Sequence, residues 1–163
     1  MDIGWVRPAA LVCVVVVVLA ACGTGSGASP TRSGQSLSCG DGAGSAPSLC
    51  GTFVSVSGTD GGADVAWLAS DPLTVEVDAR DGSATLAVAT PCNAIDVPVE
   101  VTGSTLVPDV ENTTVGAKGC LGEASAQEAW TRALVAQPLT YELDGDTLTL
   151  STPDAAVVLE RRP

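Results

Sequence analysis

Apolar and polar residues alternate with a period of two along most of the chain from Cys50 onward. Thr52, Val54 and Val56 alternate with Phe53, Ser55 and Ser57. A turn-rich stretch, residues 57–64, leads to Val65-Ala66-Trp67-Leu68, and Asp71-Pro72 punctuates the chain. Leu73, Val75 and Val77 then alternate with Thr74, Glu76 and Asp78, the pattern of a half-buried strand. Asp81-Gly82 turns the chain into Ala84, Leu86 and Val88, which predicts a hairpin. After Pro91-Cys92-Asn93, Val97, Val99 and Val101 form another such run, followed by Gly103 and Thr105-Leu106-Val107. The tail repeats the rhythm with Leu139, Tyr141 and Leu143, the turn Asp144-Gly145-Asp146, Leu148 and Leu150, and finally Val157-Val158-Leu159.

One segment departs from this period. Residues 123–137 contain no Gly or Pro, and Ala126, Ala129, Trp130, Ala133 and Leu134 share one face at helical spacing. Glu123 sits at the positive end of the helix dipole, Glu128 is spaced to pair with Arg132, and Pro138 ends the segment. The expectation is one amphipathic helix with Trp130 buried against the sheet. The fold class expected is α+β: a mainly antiparallel sheet of about eight strands, curved into a partial barrel around one packed helix.

The N-terminal part obeys a different pattern. An apolar run of about 13 residues, Ala9 to Ala21, is too short to span a bilayer but suits a secretory signal. Leu19-Ala20-Ala21-Cys22 follows, small residues beside a cysteine, and resembles the lipobox of bacterial lipoproteins. That resemblance implies cleavage before Cys22 and diacylglycerol on its thiol. Two acyl chains anchor stably where one is marginal. Residues 1–21 therefore read as a lipoprotein signal peptide. Residues 22–48, rich in Gly, Ser, Ala and Pro, read as a lipidated cysteine and flexible linker spanning roughly 25–30 Å. Residues 49–163 read as the folded domain. The expected location is the extracytoplasmic side of the cell membrane.

Composition narrows the function. The net charge is -12 and only Arg161-Arg162 are adjacent basic residues, which argues against a nucleic-acid partner. Histidine is absent, which removes the commonest general base and metal ligand. Beyond Cys22, Cys39, Cys50, Cys92 and Cys120 remain; an even set in an exported chain suggests disulfides, with three possible connectivities. Without a Cys-x-x-Cys pair they make a poor zinc set. Asp60 with Asp64, and Asp144 with Asp146, lack EF-hand spacing and suit turns. No metal and no cofactor is expected.

The order of elements carries a family resemblance. Gly51-Thr52-Phe53 opens the first strand, Cys92-Asn93 makes a corner, a Thr-containing approach leads to Cys120, and Gln127-Glu128-Ala129-Trp130 lies on the helix. Then comes Tyr141 to Leu150 and a last strand. Residues 50–162 thus resemble the META domain of HslJ-like bacterial envelope lipoproteins. Pro91 stands where that family has Gly before the Cys-Asn pair, and Val-Gly-Ala-Lys-Gly separates Thr114 from Cys120. The resemblance implies a barrel-like α+β domain, envelope or stress-related roles, and no catalytic residues. We favour the pairs Cys39–Cys50 and Cys92–Cys120; spacing does not force the choice, and the resemblance supports the second.

Asn93 and Glu128 are the candidate binding residues. The plainer readings are an Asn bonding its own turn and a Glu paired with Arg132. The expected function is a non-catalytic binding or accessory module that takes a protein partner or a small apolar ligand. The alternative is a protease inhibitor presenting a loop braced near Cys92 or Cys120.

Overall fold

The computed structural model describes residues 39, 48–80 and 83–163. The signal segment, Cys22 and most of the linker lie outside the described residues. A disulfide joins Cys39 to Cys50.

The alternating runs become strands β1 (Gly51–Asp60), β2 (Ala63–Asp64), β3 (Thr74–Arg80), β4 (Ser83–Ala89), β5 (Ala94–Thr102), β6 (Thr105–Pro108), β7 (Thr114–Val115), β8 (Leu139–Asp144), β9 (Thr147–Ser151) and β10 (Ala155–Arg161). A four-residue helix, α1 (Trp67–Ser70), follows β2, and the main helix, α2 (Glu123–Val135), precedes β8. Neighbouring strands run β1-β3-β4-β5-β6-β8-β9-β10, and β10 pairs antiparallel with β1. The curved sheet is therefore an eight-stranded barrel that closes fully, with β2 and β7 as short additions on β1 and β5. Closure removes the free edges that an open sheet would expose.

The period of two sends one face of the barrel strands inward. Val75 and Val77 of β3, Leu86 and Val88 of β4, Val97 of β5 and Leu148 of β9 are all buried. Burying each such side chain contributes about 1.5–3 kcal/mol. In β1 the inward face is not the valine face. Phe53 and Ser55 are buried, whereas Val56 is exposed at a bulge, where the register with β10 shifts between Ser55 and Ser57. The strand continues through the expected turn region to Asp60.

Helix α2 closes the barrel with a different face from the one expected. Gln127, Thr131, Leu134 and Val135 are buried, while Ala126, Ala129 and Ala133 are exposed and Trp130 is half-buried. Alanine has little area to bury, so the larger Leu134 and Val135 set the rotation of the helix. Thr131 can join them because its hydroxyl donates to the Gln127 carbonyl at 2.8 Å. Thr131, Leu134 and Val135 meet Val75, Val88 and Leu159 around a space of about 10 Å³, barely the size of one water.

The two ends of the domain are tied by Arg161. Its guanidinium donates to the carbonyls of Cys50 (2.9 Å) and Ser48, pairs with Asp146 at 3.2 Å, and lies 4.5 Å from the Phe53 ring centroid. Among the described residues, no helix is long and apolar enough to cross a membrane.

Candidate functional site

Helix α2 borders three places where chemistry collects. The first is the corner between β4 and β5. Thr90 Oγ1 accepts from the backbone N–H groups of Cys92 (3.2 Å) and Asn93 (2.9 Å) and donates to the Asn93 carbonyl (2.8 Å). The corner is thereby fixed without help from the Asn93 side chain. The Asn93 amide is buried and reaches across instead. Its Nδ2 donates to Glu128 Oε2 at 2.6 Å and to the Lys118 carbonyl at 3.2 Å, and its Oδ1 accepts from Lys118 N–H at 3.1 Å. A Cβ on Gly116 would lie 2.5 Å from Asn93 Oδ1, so glycine is what lets that segment approach.

The Cys92–Cys120 disulfide closes the same three-way junction. Glu128 Oε2 lies 3.1 Å from Cys120 Sγ; a bonded sulfur carries no proton, so this is a contact and not a hydrogen bond. Cys92, Cys120 and Glu128 bring three donor atoms within 4.8 Å of one another. With the sulfurs joined, neither offers the thiolate a metal needs, so the set does not fit an ion. The sequence thus brought Asn93 and Glu128 forward separately, and the fold joins them. Glu128 engages Asn93 rather than Arg132, and Asn93 bonds the distant Lys118 backbone and α2 rather than only its own turn.

The second place is a groove of about 440 Å³ between α2 and residues 110–115, lined by Ile95, Val110, Val115, Ala129, Arg132 and Ala133. The outward alanine face of α2 gives it one apolar wall, and Thr113 adds a polar group on the other side. Arg132 supplies its one charged side chain.

The third is a cleft of about 530 Å³ between α1 and α2, lined by Trp67, Ser70, Asp71, Glu123, Gln127 and Trp130. Residues far apart in sequence build it. Ser55 Oγ donates to the Leu68 carbonyl at 2.6 Å and accepts from Leu73 N–H at 2.9 Å, which pins α1 to the barrel. Leu68 packs on Gly58, where a Cβ would strike it and would sit 2.6 Å from the Ala156 carbonyl. Trp67 is thereby set against Trp130, with ring centroids 5.5 Å apart and planes at 89°. Trp130 Nε1 donates to Asp60 Oδ2 at 2.9 Å. Asp60 therefore serves as an indole acceptor, and Asp146 pairs with Arg161.

Gln127 lines the same cleft with only 8% of its surface exposed, and its Oε1 is buried with no hydrogen-bond partner. An unmet buried acceptor costs about 1–3 kcal/mol. Sequence reasoning missed Ser55, Gly58, Gly116, Gln127 and Arg161. The available signal was a Ser and a Gly on the inward face of an otherwise apolar strand.

No curated protein and no solved structure matches the chain. The family model of the META domain matches residues 48–163, which takes in the barrel, both helices and the Cys92–Cys120 corner. The chain belongs to the META domain family.

Proposed function

We propose that this chain is a non-catalytic binding module, held at the extracytoplasmic face of the cell membrane by lipid on Cys22 and displayed on the linker that follows. The observation that carries the binding reading is the groove beside α2. It is concave and lined by alanine, valine and isoleucine side chains together with Thr113, and Arg132 gives it a charged group to orient a ligand. A small, largely apolar molecule with an acidic end fits that lining. Peptide addition to a sheet edge has less to offer. Barrel closure leaves β2 and β7 as short extra strands of two residues each.

The groove is tested with an anilinonaphthalene sulfonate probe on the full chain. The expected result is saturable fluorescence enhancement that Ala133→Trp removes by filling the groove. Enhancement unchanged in that variant contradicts the reading. The anchor is tested separately by Cys22→Ser, which is expected to abolish lipid labelling and shift the chain to the soluble fraction. A variant that still fractionates with membrane contradicts the anchor.

One observation favours protease inhibition as a second reading. Leu121 is 88% exposed immediately after disulfide-bonded Cys120, as a residue offered to an apolar protease pocket would be. Inhibition of a chymotrypsin-like protease that Leu121→Asp abolishes would favour it over the groove.

A further inference from the structure

We infer that the cleft between α1 and α2 is a binding site for an organic cation, an alkylammonium or guanidinium group. The inference is independent of the groove, which lies on another face of α2 and has a different lining.

The charged hydrogen-bonding groups at the cleft are acceptors. The Trp130 indole N–H is taken by Asp60, and the Ser70 hydroxyl is directed at the Trp67 carbonyl, 3.5 Å away. What remains is the Trp67 indole N–H and the Gln127 Nε2 as neutral donors, against the carboxylates of Asp71 and Glu123 and the buried, unpartnered Oε1 of Gln127 as acceptors. A ligand rich in N–H donors complements that set.

Charge points the same way. Among the described residues, no Lys or Arg lines the cleft, while Asp71 and Glu123 do. The N-terminus of α2 opposes them with about half a positive charge, so the two carboxylates dominate the local field. The perpendicular indoles of Trp67 and Trp130 then form an aromatic wall beside the acids. Aromatic rings attract ammonium and guanidinium groups through the ring quadrupole, more strongly where water is partly excluded. An anion would meet the same carboxylates with repulsion. A neutral apolar ligand would leave the Gln127 acceptor unmet.

Such a cation could be a free polyamine or a basic side chain of a peptide, and the test separates them. The full chain carrying Trp5→Phe, in non-ionic detergent, leaves Trp67 and Trp130 as its two tryptophans. Its fluorescence is titrated with spermidine and, separately, with triarginine. Saturation by spermidine alone assigns a free polyamine, and saturation by triarginine alone assigns a basic peptide. Saturation by both supports the shared cation chemistry.

The acidic chain attracts any polycation weakly, so matched variants separate the cleft from net charge. Asp71→Asn with Glu123→Gln is expected to weaken binding at least tenfold. Glu76→Gln with Glu142→Gln, the same charge removed from exposed strand positions, is expected to change it less than twofold. No saturation with either cation overturns the proposal. Equal losses in the two double variants, or a matching response to inorganic phosphate, overturn it as well.

Discussion

Gln127 and Glu128 are adjacent on α2, yet the regions they serve treat polar groups in opposite ways. At the Cys92–Cys120 corner, the Glu128 carboxylate, both ends of the Asn93 amide and the Lys118 backbone are bonded to one another. At the Trp67–Trp130 cleft, Gln127 keeps a buried acceptor without a partner beside two carboxylates. A closed network of this kind holds three chain segments in place and has little left to give a ligand. An open one costs stability and retains the capacity to bind. The difference assigns the corner to architecture and the cleft to recognition, although sequence reasoning placed its candidate binding residues at the corner.

The largest test of that contrast is to cut the corner. Replacing Cys92 and Cys120 together by Ala opens a loop of sequence separation 28. The expected loss is about 3.5 kcal/mol in the chain-entropy picture, seen as a lower denaturation midpoint. Cation response at the cleft should survive at temperatures where the variant is folded.

Asn93→Leu comes next. It leaves Glu128 and the Lys118 amide and carbonyl without their shared partner, and should cost about 3 kcal/mol by chemical denaturation. A loss below about 0.5 kcal/mol, the usual range for surface changes, would mean the network is not structural.

Ser55→Ala is a smaller change that acts on the other region. It removes the hydroxyl between Leu68 and Leu73 and should cost about 1–3 kcal/mol. The tryptophan emission should also shift, because α1 loses its pin. Unchanged emission would show that Ser55 does not position Trp67.

How much of this was legible beforehand follows from the range of each interaction. Strands such as β3, β4 and β5 announce themselves because alternation is local and one face must be buried. The face of α2 was misread because its alanines mark helical propensity more than burial. Gln127 and Thr131, polar by type, occupy the inward stripe with Leu134 and Val135. In β1, Phe53 and Ser55 face inward ahead of the bulge and Gly58 rather than Ser57 does so after it, a change of phase that the small residues there do not announce. The cleft was least visible. The Trp130–Asp60 bond joins residues 70 apart, and no local pattern encodes that meeting.

The smallest expected effect on stability gives the sharpest test of the contrast. In Gln127→Leu, an apolar side chain of similar reach replaces the unpartnered amide. Chemical denaturation and spermidine titration are read on the same full-length Trp5→Phe background. The prediction is stability unchanged or raised by about 1 kcal/mol, together with cation affinity lowered at least fivefold. Lower stability with affinity unchanged would contradict it, and would place Gln127 among the structural residues with Asn93.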